Sequence, residues 1–252
     1  MEVQENYFPA LGFVNRSGIR EYELETGYNW RPETGWFRSI TSGVEYWRVQ
    51  TLAGHVESEE FKVNAFELEN QTADALVLSY RSNREVLVEP FEISDGVVIP
   101  AGDYSFGSVC LEGTTGQFRS ISTEWIVCDG EFYDGERTSA APYFTWRPNA
   151  HLRFGAGFEW NDIDLPQGSF ITRLASLRAD IAFTTTWYWE NFLQYDNVSE
   201  TLGINSILRW VPQAGRETVL VVNRQLEDFD GDNRFDSYVS ELVFKLSYTF
   251  RF

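Results

Sequence analysis

The densest run of oxygen ligands in the chain is Asp228-Phe229-Asp230-Gly231-Asp232-Asn233-Arg234-Phe235-Asp236, whose acids fall at relative positions 1, 3, 5 and 9. Calcium takes about six to eight oxygens at about 2.3–2.6 Å, and alternate carboxylates on a tight turn can converge to supply them. Asp228, Asp230, Asp232 and Asp236 are therefore a candidate Ca²⁺ site. Asn233 stands where loops of this kind usually have glycine, and asparagine tolerates positive φ better than most residues. Arg234 offsets charge beside it; the competing reading is a solvated acidic loop. A second pair of acids, Glu23 and Glu25, has the composition of a glycoside-hydrolysing dyad, which needs two carboxyl groups at a defined separation. Same-face neighbours on any polar strand share that arrangement, so no catalytic residue is assigned. The two histidines, His55 and His151, are isolated, which argues against a histidine metal site. The sequence holds no Gly-x-Ser-x-Gly elbow, phosphate-binding glycine loop or Cys-x-x-Cys pair. The expectation is a protein that is not an enzyme and has no cofactor beyond the candidate calcium loop.

The elements that carry these residues read as strands. Leu242, Phe244, Leu246, Tyr248, Phe250 and Phe252 occupy every second position at the end of the chain, with Val243, Lys245, Ser247, Thr249 and Arg251 between them. A period of two places these sets on opposite faces of one strand. A tilted strand of about 9–11 residues crosses the hydrocarbon core of a bilayer, and chain ends usually fray, so an aromatic ending suggests burial. Alternation of the same kind recurs from Ile19 onward, most clearly at Tyr22 to Trp30, Leu152 to Trp160 and Leu202 to Trp210. In residues 55–68 the set Phe61, Val63, Ala65 falls out of step with Phe66 and Leu68, which a bulge would explain. About thirteen strands and no helix result, with an irregular lead-in at residues 1–18.

Connections alternate in expected length. Turns at 31–35, 69–74, 113–116, 147–149, 183–185 and 212–216 are short, whereas the opposite set reads as mostly long, at 89–103, 129–136, 162–168 and 225–237, with 48–53 and 196–200 its brief members. Segregation of that kind is the outer-membrane barrel pattern. With the turn at 113–116, Cys110 lies near it and Cys128 far from it. A disulfide needs Cα atoms within about 7 Å, so both cysteines are expected to be unpaired strand residues.

Bulk properties bound the partners. A formal charge of −18 argues against nucleic acid, whose phosphates require a basic surface. The chain has no apolar run of about 18 residues that would form a membrane helix, although barrel strands give a much weaker hydropathy signal. Glu2 and Glu5 stand where a signal peptide would be basic and then apolar, so a mature form or a fragment of a secreted chain is expected.

Several stretches resemble a known family. They are Phe8-Pro9-Ala10-Leu11-Gly12-Phe13-Val14-Asn15-Arg16, Glu89-Pro90-Phe91-Glu92-Ile93 with Val98-Ile99-Pro100-Ala101-Gly102-Asp103-Tyr104, Gly130-Glu131-Phe132-Tyr133-Asp134-Gly135, Leu165-Pro166-Gln167-Gly168-Ser169-Phe170, Leu193-Gln194-Tyr195-Asp196 and Asn205-Ser206-Ile207-Leu208-Arg209-Trp210. In order, they look like the C-terminal part of a family of bacterial outer-membrane barrel proteins without an assigned activity. Its longer members often carry an N-terminal domain similar to family-9 carbohydrate-binding modules. The resemblance implies that barrel strands and that domain precede this part in the longer members.

The fold expected is all-β: an antiparallel up-and-down transmembrane β-barrel of about 12–14 strands over residues 19–252, or the C-terminal part of a larger one. Glu21, Glu23, Glu25, Arg153, Glu159, Arg178, Asp180, Glu190, Arg209, Glu241 and Lys245 would line its lumen and set which solutes pass. Trp30, Trp36, Trp146, Trp160, Trp210, Tyr248, Phe250 and Phe252 would form interfacial girdles; a sugar-stacking platform is the rival. Arg173, on the lipid-facing side, would contact lipid phosphates or snorkel. The expected role is a channel, uptake component or surface anchor in the bacterial outer membrane, linked to carbohydrate use. Its partners would be lipid, carbohydrate and, through the last strand, the outer-membrane assembly machinery. The alternative is a soluble extracytoplasmic β-sheet protein that binds or cleaves carbohydrate.

Overall fold

The computed structural model describes residues 1–9, 12, 14–228 and 235–249. Every regular element in them is a strand: β1 (Glu2–Val3), β2 (Ile19–Trp30), β3 (Phe37–Thr51), β4 (Val56–Asn70), β5 (Ala75–Leu87), β6 (Phe91–Ser94), β7 (Val97–Ile99) and β8 (Gly102–Thr114). Then follow β9 (Ile121–Phe132), β10 (Gly135–Asn149), β11 (Leu152–Leu165), β12 (Gly168–Ala182), β13 (Trp187–Asp196), β14 (Thr201–Gln213), β15 (Arg216–Glu227) and β16 (Asp236–Tyr248). Fourteen strands hydrogen-bond in chain order, β1 to β5 and then β8 to β16, while β6 and β7 form a separate hairpin. The order is open, with β1 and β16 at its edges. The chain divides into two compact units, one of Met1–Gly113, Ile126–Ser139 and Asp162–Ile171, the other of Thr114–Trp125, Ala140–Asn161 and Thr172–Phe252.

The thirteen long strands are those the alternation predicts, and the extra three are short. β1 lies in the lead-in, where Glu2 pairs with Arg20 and Val3 with Ile19. The slip anticipated in residues 55–68 is present as a register shift between Asn64 and Phe66. An extra residue there returns Phe66 and Leu68 to the face of Phe61 and Val63.

Three expectations about turns are corrected. Residues 129–136 and 162–168 are not long loops: β9 runs to Phe132 and β10 starts at Gly135, and β11 runs to Leu165 with β12 starting at Gly168. Their acidic and glycine-rich composition reads as loop, yet a strand with water on one side accepts such residues, and each hairpin closes on two residues. The segregation of loop lengths is correspondingly weaker; among the described residues 88–101 remains a long connection, and most of the expected loop 225–237 lies outside them or in strands β15 and β16. The third hairpin turn occupies residues 115–120 rather than 113–116.

That displacement overturns the reading of the cysteines. Thr115 donates its N–H to the Thr123 carbonyl at 2.9 Å, so stepping five residues back along each strand brings Cys110 opposite Cys128. The two form a disulfide, with Cα atoms 4.2 Å apart, and no free cysteine is present among the described residues. Without reductant, the denatured protein is therefore expected to show no titratable thiol. Replacing both cysteines by serine should cost about 3 kcal/mol in the chain-entropy picture for a loop of this size, read as a lower unfolding midpoint. Two thiols in the untreated protein would contradict the pairing.

Candidate functional site: the polar face of the sheet

Register divides each strand into two unlike faces, because directly paired antiparallel residues share a side. On β2–β5, one face carries Glu21, Glu23 and Glu25 beside Val49, Trp47 and Glu45, then Ser58, Glu60 and Lys62, then Glu85, Asn83 and Arg81. Acids dominate it, and the bases are used locally. Lys62 pairs with Glu45 at 3.2 Å and Arg81 with Glu60 at 3.5 Å. The Trp47 indole donates to Glu21 at 2.7 Å, Asn64 to Glu45 at 2.9 Å and Ser58 to Glu85 at 2.7 Å. Arg38 pairs with Glu69. Glu23 and Glu25 have no ion-pair partner among the described residues. The lead-in reaches this wall: Arg16 donates to Ser58 at 3.0 Å. A cavity of about 970 Å³ lies there, lined by Tyr7, Asn15, Arg16, Glu21 and Trp47 among others.

The second unit repeats the division. Asp180 pairs in register with Glu190, Tyr188 with Arg209, Asn205 with Asn223, Asn223 with Glu241 and Val219 with Lys245. The sequence-predicted residues Arg178, Asp180, Glu190, Arg209, Glu241 and Lys245 therefore share one face. Arg178 binds Asp180 at 3.0 Å, Arg209 binds Glu217 at 3.3 Å, and Asn205, Asn223 and Glu241 form a chain with links of 2.6 and 3.2 Å. Tyr143 lies flat across Gly155 and Gly157; a Cβ on Gly155 would collide with its hydroxyl, and one on Gly157 would meet Ser176 Oγ at 2.6 Å. These glycines alternate with polar Arg153 and Glu159 on one side of β11, so their role is to leave room for the tyrosine ring. Arg147 ties the 115–120 turn to the same wall through Gln117 and Ser122.

The polar face is the more enclosed one. Ser39, Ser58, Ser79, Ser122 and Thr145 are buried beneath the longer charged side chains, while only eight apolar side chains are buried among the described residues. Half of those eight form one cluster, Val97, Ile99, Ile163 and Leu165, joined by Leu87, Ile93, Tyr104, Phe132, Tyr133 and Phe170. It is made where hairpin β6–β7 folds over the strand ends. Asp103 meets Arg84 at 2.7 Å, and Arg84 pairs in register with Glu59 on the other side of the sheet, so Tyr104 points to the polar side with the hairpin. Burial first, and the Glu85 carboxylate second, push the Tyr133 hydroxyl above the usual tyrosine range. The hairpin escaped the reading of 89–103 as a plain loop, although Asp95-Gly96 between two alternating apolar pairs is a hairpin signal; Gly96 has φ 72°.

The opposite face is apolar and bare. Leu24 is 64% exposed, Leu242 70% and Leu246 71%, with Tyr28, Phe244 and many others alongside. Of the predicted girdle, Trp30, Trp36, Trp146, Trp210 and Tyr248 are exposed near strand ends, and Trp160 is half-buried. Trp210 stacks on Trp187 at 5.5 Å, Trp146 on Phe154 at 5.5 Å and Trp36 on Phe37 at 5.7 Å. Arg216 covers the Tyr248 ring. Polar atoms within the apolar face satisfy one another: Trp189 donates to Ser206 and Ser206 to Asn191. Arg173 sits within β12 and its carbonyl accepts from Asn197. Phe250, Phe252, Asp230 and Asp232 lie outside the described residues. Asp228 is buried and Asp236 opens β16, and no group of three metal-type ligands occurs among the described residues.

No protein-family model matches the chain, and no curated protein sequence matches it significantly. The geometry of the wall generates a test. Gly155→Val should destabilise the fold by about 1–3 kcal/mol through overpacking against Tyr143. The same change in a Tyr143→Ala background should cost less than half as much. Equal costs in both backgrounds would show that the ring does not occupy that space.

Proposed function

We propose that this chain is a β-barrel of the bacterial outer membrane, or the C-terminal portion of one. In this reading its apolar face meets lipid, and its polar face lines a lumen capped by hairpin β6–β7. It acts by shape and wall charge as a channel, uptake component or surface anchor. No bond is made or broken, and the association with carbohydrate use belongs to the same proposal.

The observation that carries the reading is the inversion of burial: serines and a threonine of the polar face are buried beside partly exposed ion pairs, whereas leucines, phenylalanines and tryptophans of the other face are exposed. The accessible surface is 16628 Å² for 29.1 kDa, against about 11,400 Å² for a compact soluble monomer of that mass. Exposed apolar patches larger than a few hundred Å² mark interaction or membrane surfaces; exposed apolar residues crowd β2–β5 in one unit and, separately, β13–β16 in the other. Sheets that cross lipid must close, because an open edge leaves backbone groups unsatisfied in hydrocarbon. Closure of the sheet is therefore part of the proposal. A soluble sandwich, the alternative, would need a second layer over the apolar face.

Expressed with an export signal, the protein should fractionate with outer membranes, need detergent for extraction and migrate differently on a gel when unheated. Phe244→Arg should lower folded stability by about 2–4 kcal/mol, the depth-dependent cost of a cation facing lipid, whereas Val243→Thr on the polar face should be nearly neutral. A protein that stays monodisperse in buffer without detergent would overturn the reading.

A further inference from the structure

The cavity of about 970 Å³ between the lead-in and the polar wall falls within the range of small-molecule sites, about 300–1,000 Å³. Part of its lining is apolar and closed off, since Ile19 is 6% exposed and Val49 2%. Two aromatic side chains, Trp47 and Tyr7, also line it. The Trp47 indole is held by its N–H bond to Glu21 Oε1 at 2.7 Å. The lead-in is tied to the wall at two points. The Leu52 N–H donates to the Gly18 carbonyl at 2.9 Å, and Arg16 Nη1 donates to Ser58 Oγ at 3.0 Å.

The charges of the lining are matched locally. Glu2 binds Arg20 at 2.7 Å, and Arg16 stands 3.6 Å from Glu57. The Met1 ammonium, which donates to the Glu21 carbonyl at 2.7 Å, offsets the Glu21 carboxylate. Hydrogen-bonding capacity is nevertheless left over. Among the described residues Glu21 Oε2 accepts from no group, the Asn15 side-chain amide is unbonded, and Arg16 keeps Nε and Nη2.

An acceptor, a donor fork and an amide that does both suit a guest whose own groups both donate and accept. Hydroxyls on adjacent carbons meet that condition, whereas an ammonium only donates and a carboxylate only accepts. Balanced charge likewise favours an uncharged guest. The rings and the aliphatic lining suit a flat C–H surface, because aromatic side chains supply large apolar contact area. A pyranose ring combines the two, with hydroxyls at its rim and C–H bonds on its faces. Partners already held in place lower the cost of ordering them when the guest arrives.

We propose that this cavity binds a neutral saccharide, with a pyranose ring against Trp47 and Tyr7 and its hydroxyls on Glu21, Asn15 and Arg16. The site deepens the reading above and rests on it for one thing, that the polar wall is a lumen through which such a guest arrives. The class of ligand rests on the lining alone.

The test is titration calorimetry of the full chain in lauryldimethylamine oxide, a detergent whose headgroup is not a sugar, with maltotriose, cellotriose and xylotriose as separate probes. At least one should bind saturably at one site per chain, with an affinity that raised ionic strength leaves unchanged. Trp47→Ala should weaken it tenfold or more, and Tyr7→Ala and Asn15→Ala threefold or more each. Trp36→Ala, in the exposed turn after β2, should leave it unchanged. If Trp47→Ala loses the unheated gel shift of the folded protein, Tyr7→Ala and Asn15→Ala decide, since neither residue lies in a strand. Heats at background for all three saccharides would overturn the proposal, as would a loss with Trp36→Ala equal to that with Trp47→Ala. A protein that binds as expected yet needs no detergent would remove the barrel reading and leave the saccharide site standing. One that needs detergent and gives no heat would do the reverse.

Discussion

A pleated strand sends alternate side chains to opposite sides, and here the two sides have been given incompatible solvents. One carries glutamates, arginines and hydroxyls joined in register; the other carries leucine, phenylalanine and tryptophan with no protein over them. Burying apolar area is worth about 25 cal/mol per Å², so a sheet of this kind left bare in water forgoes most of what stabilises a soluble domain. In the proposed reading, hydrocarbon in contact with that side would restore the missing stabilisation. The strands are long, polar residues such as Trp189, Ser206 and Asn191 on the apolar face bond to one another, and charge on that face, as in the Arg84–Asp103 pair, is local.

Crowding charge on one face has its own cost, since partly buried ions need partners. The wall meets it with short-range pairs across neighbouring strands, Lys62 with Glu45, Arg81 with Glu60 and Arg209 with Glu217. Where the wall needs bulk, it uses a tyrosine lying over glycines, as Tyr143 does over Gly155 and Gly157. The buried apolar cluster among the described residues includes Val97 and Ile99 of hairpin β6–β7, which in the proposed reading caps the lumen away from lipid. Arg137 stacks on Phe132, a residue packed against that cluster, with its guanidinium carbon 4.5 Å from the ring centre.

Alternation made the strands legible. A period of two over nine or more residues has no helical counterpart, and the bulge near Asn64 announced itself as a change of phase. Turns were less legible, because glycine and acids mark both turns and the polar side of strands. Gly113 and Gly116 drew the third turn a few residues early. In an antiparallel hairpin any shift of the turn moves every partner by twice as much, which is enough to separate Cys110 from Cys128 on paper. The polar composition of 129–136 and 162–168 hid strand extensions for the same reason. Hairpin β6–β7 was spelled out by Asp95-Gly96, but its strands are only four and three residues long. The shared face of Arg178, Asp180, Glu190 and Arg209 could be read from phase; the stack of Arg137 on Phe132 could not, because it depends on where the β9–β10 turn closes.

The account rests on hydrocarbon covering one side of the sheet, and nitroxide labels placed one at a time on β2 and β16 in reconstituted vesicles test that most directly. Labels at Leu24, Tyr28, Leu242, Phe244 and Leu246 should be accessible to oxygen and shielded from a water-soluble nickel chelate. Labels at Glu23, Glu25, Val243 and Lys245 should lack that lipid signature. Loss of the alternation, with both sets equally open to the chelate, would contradict the account.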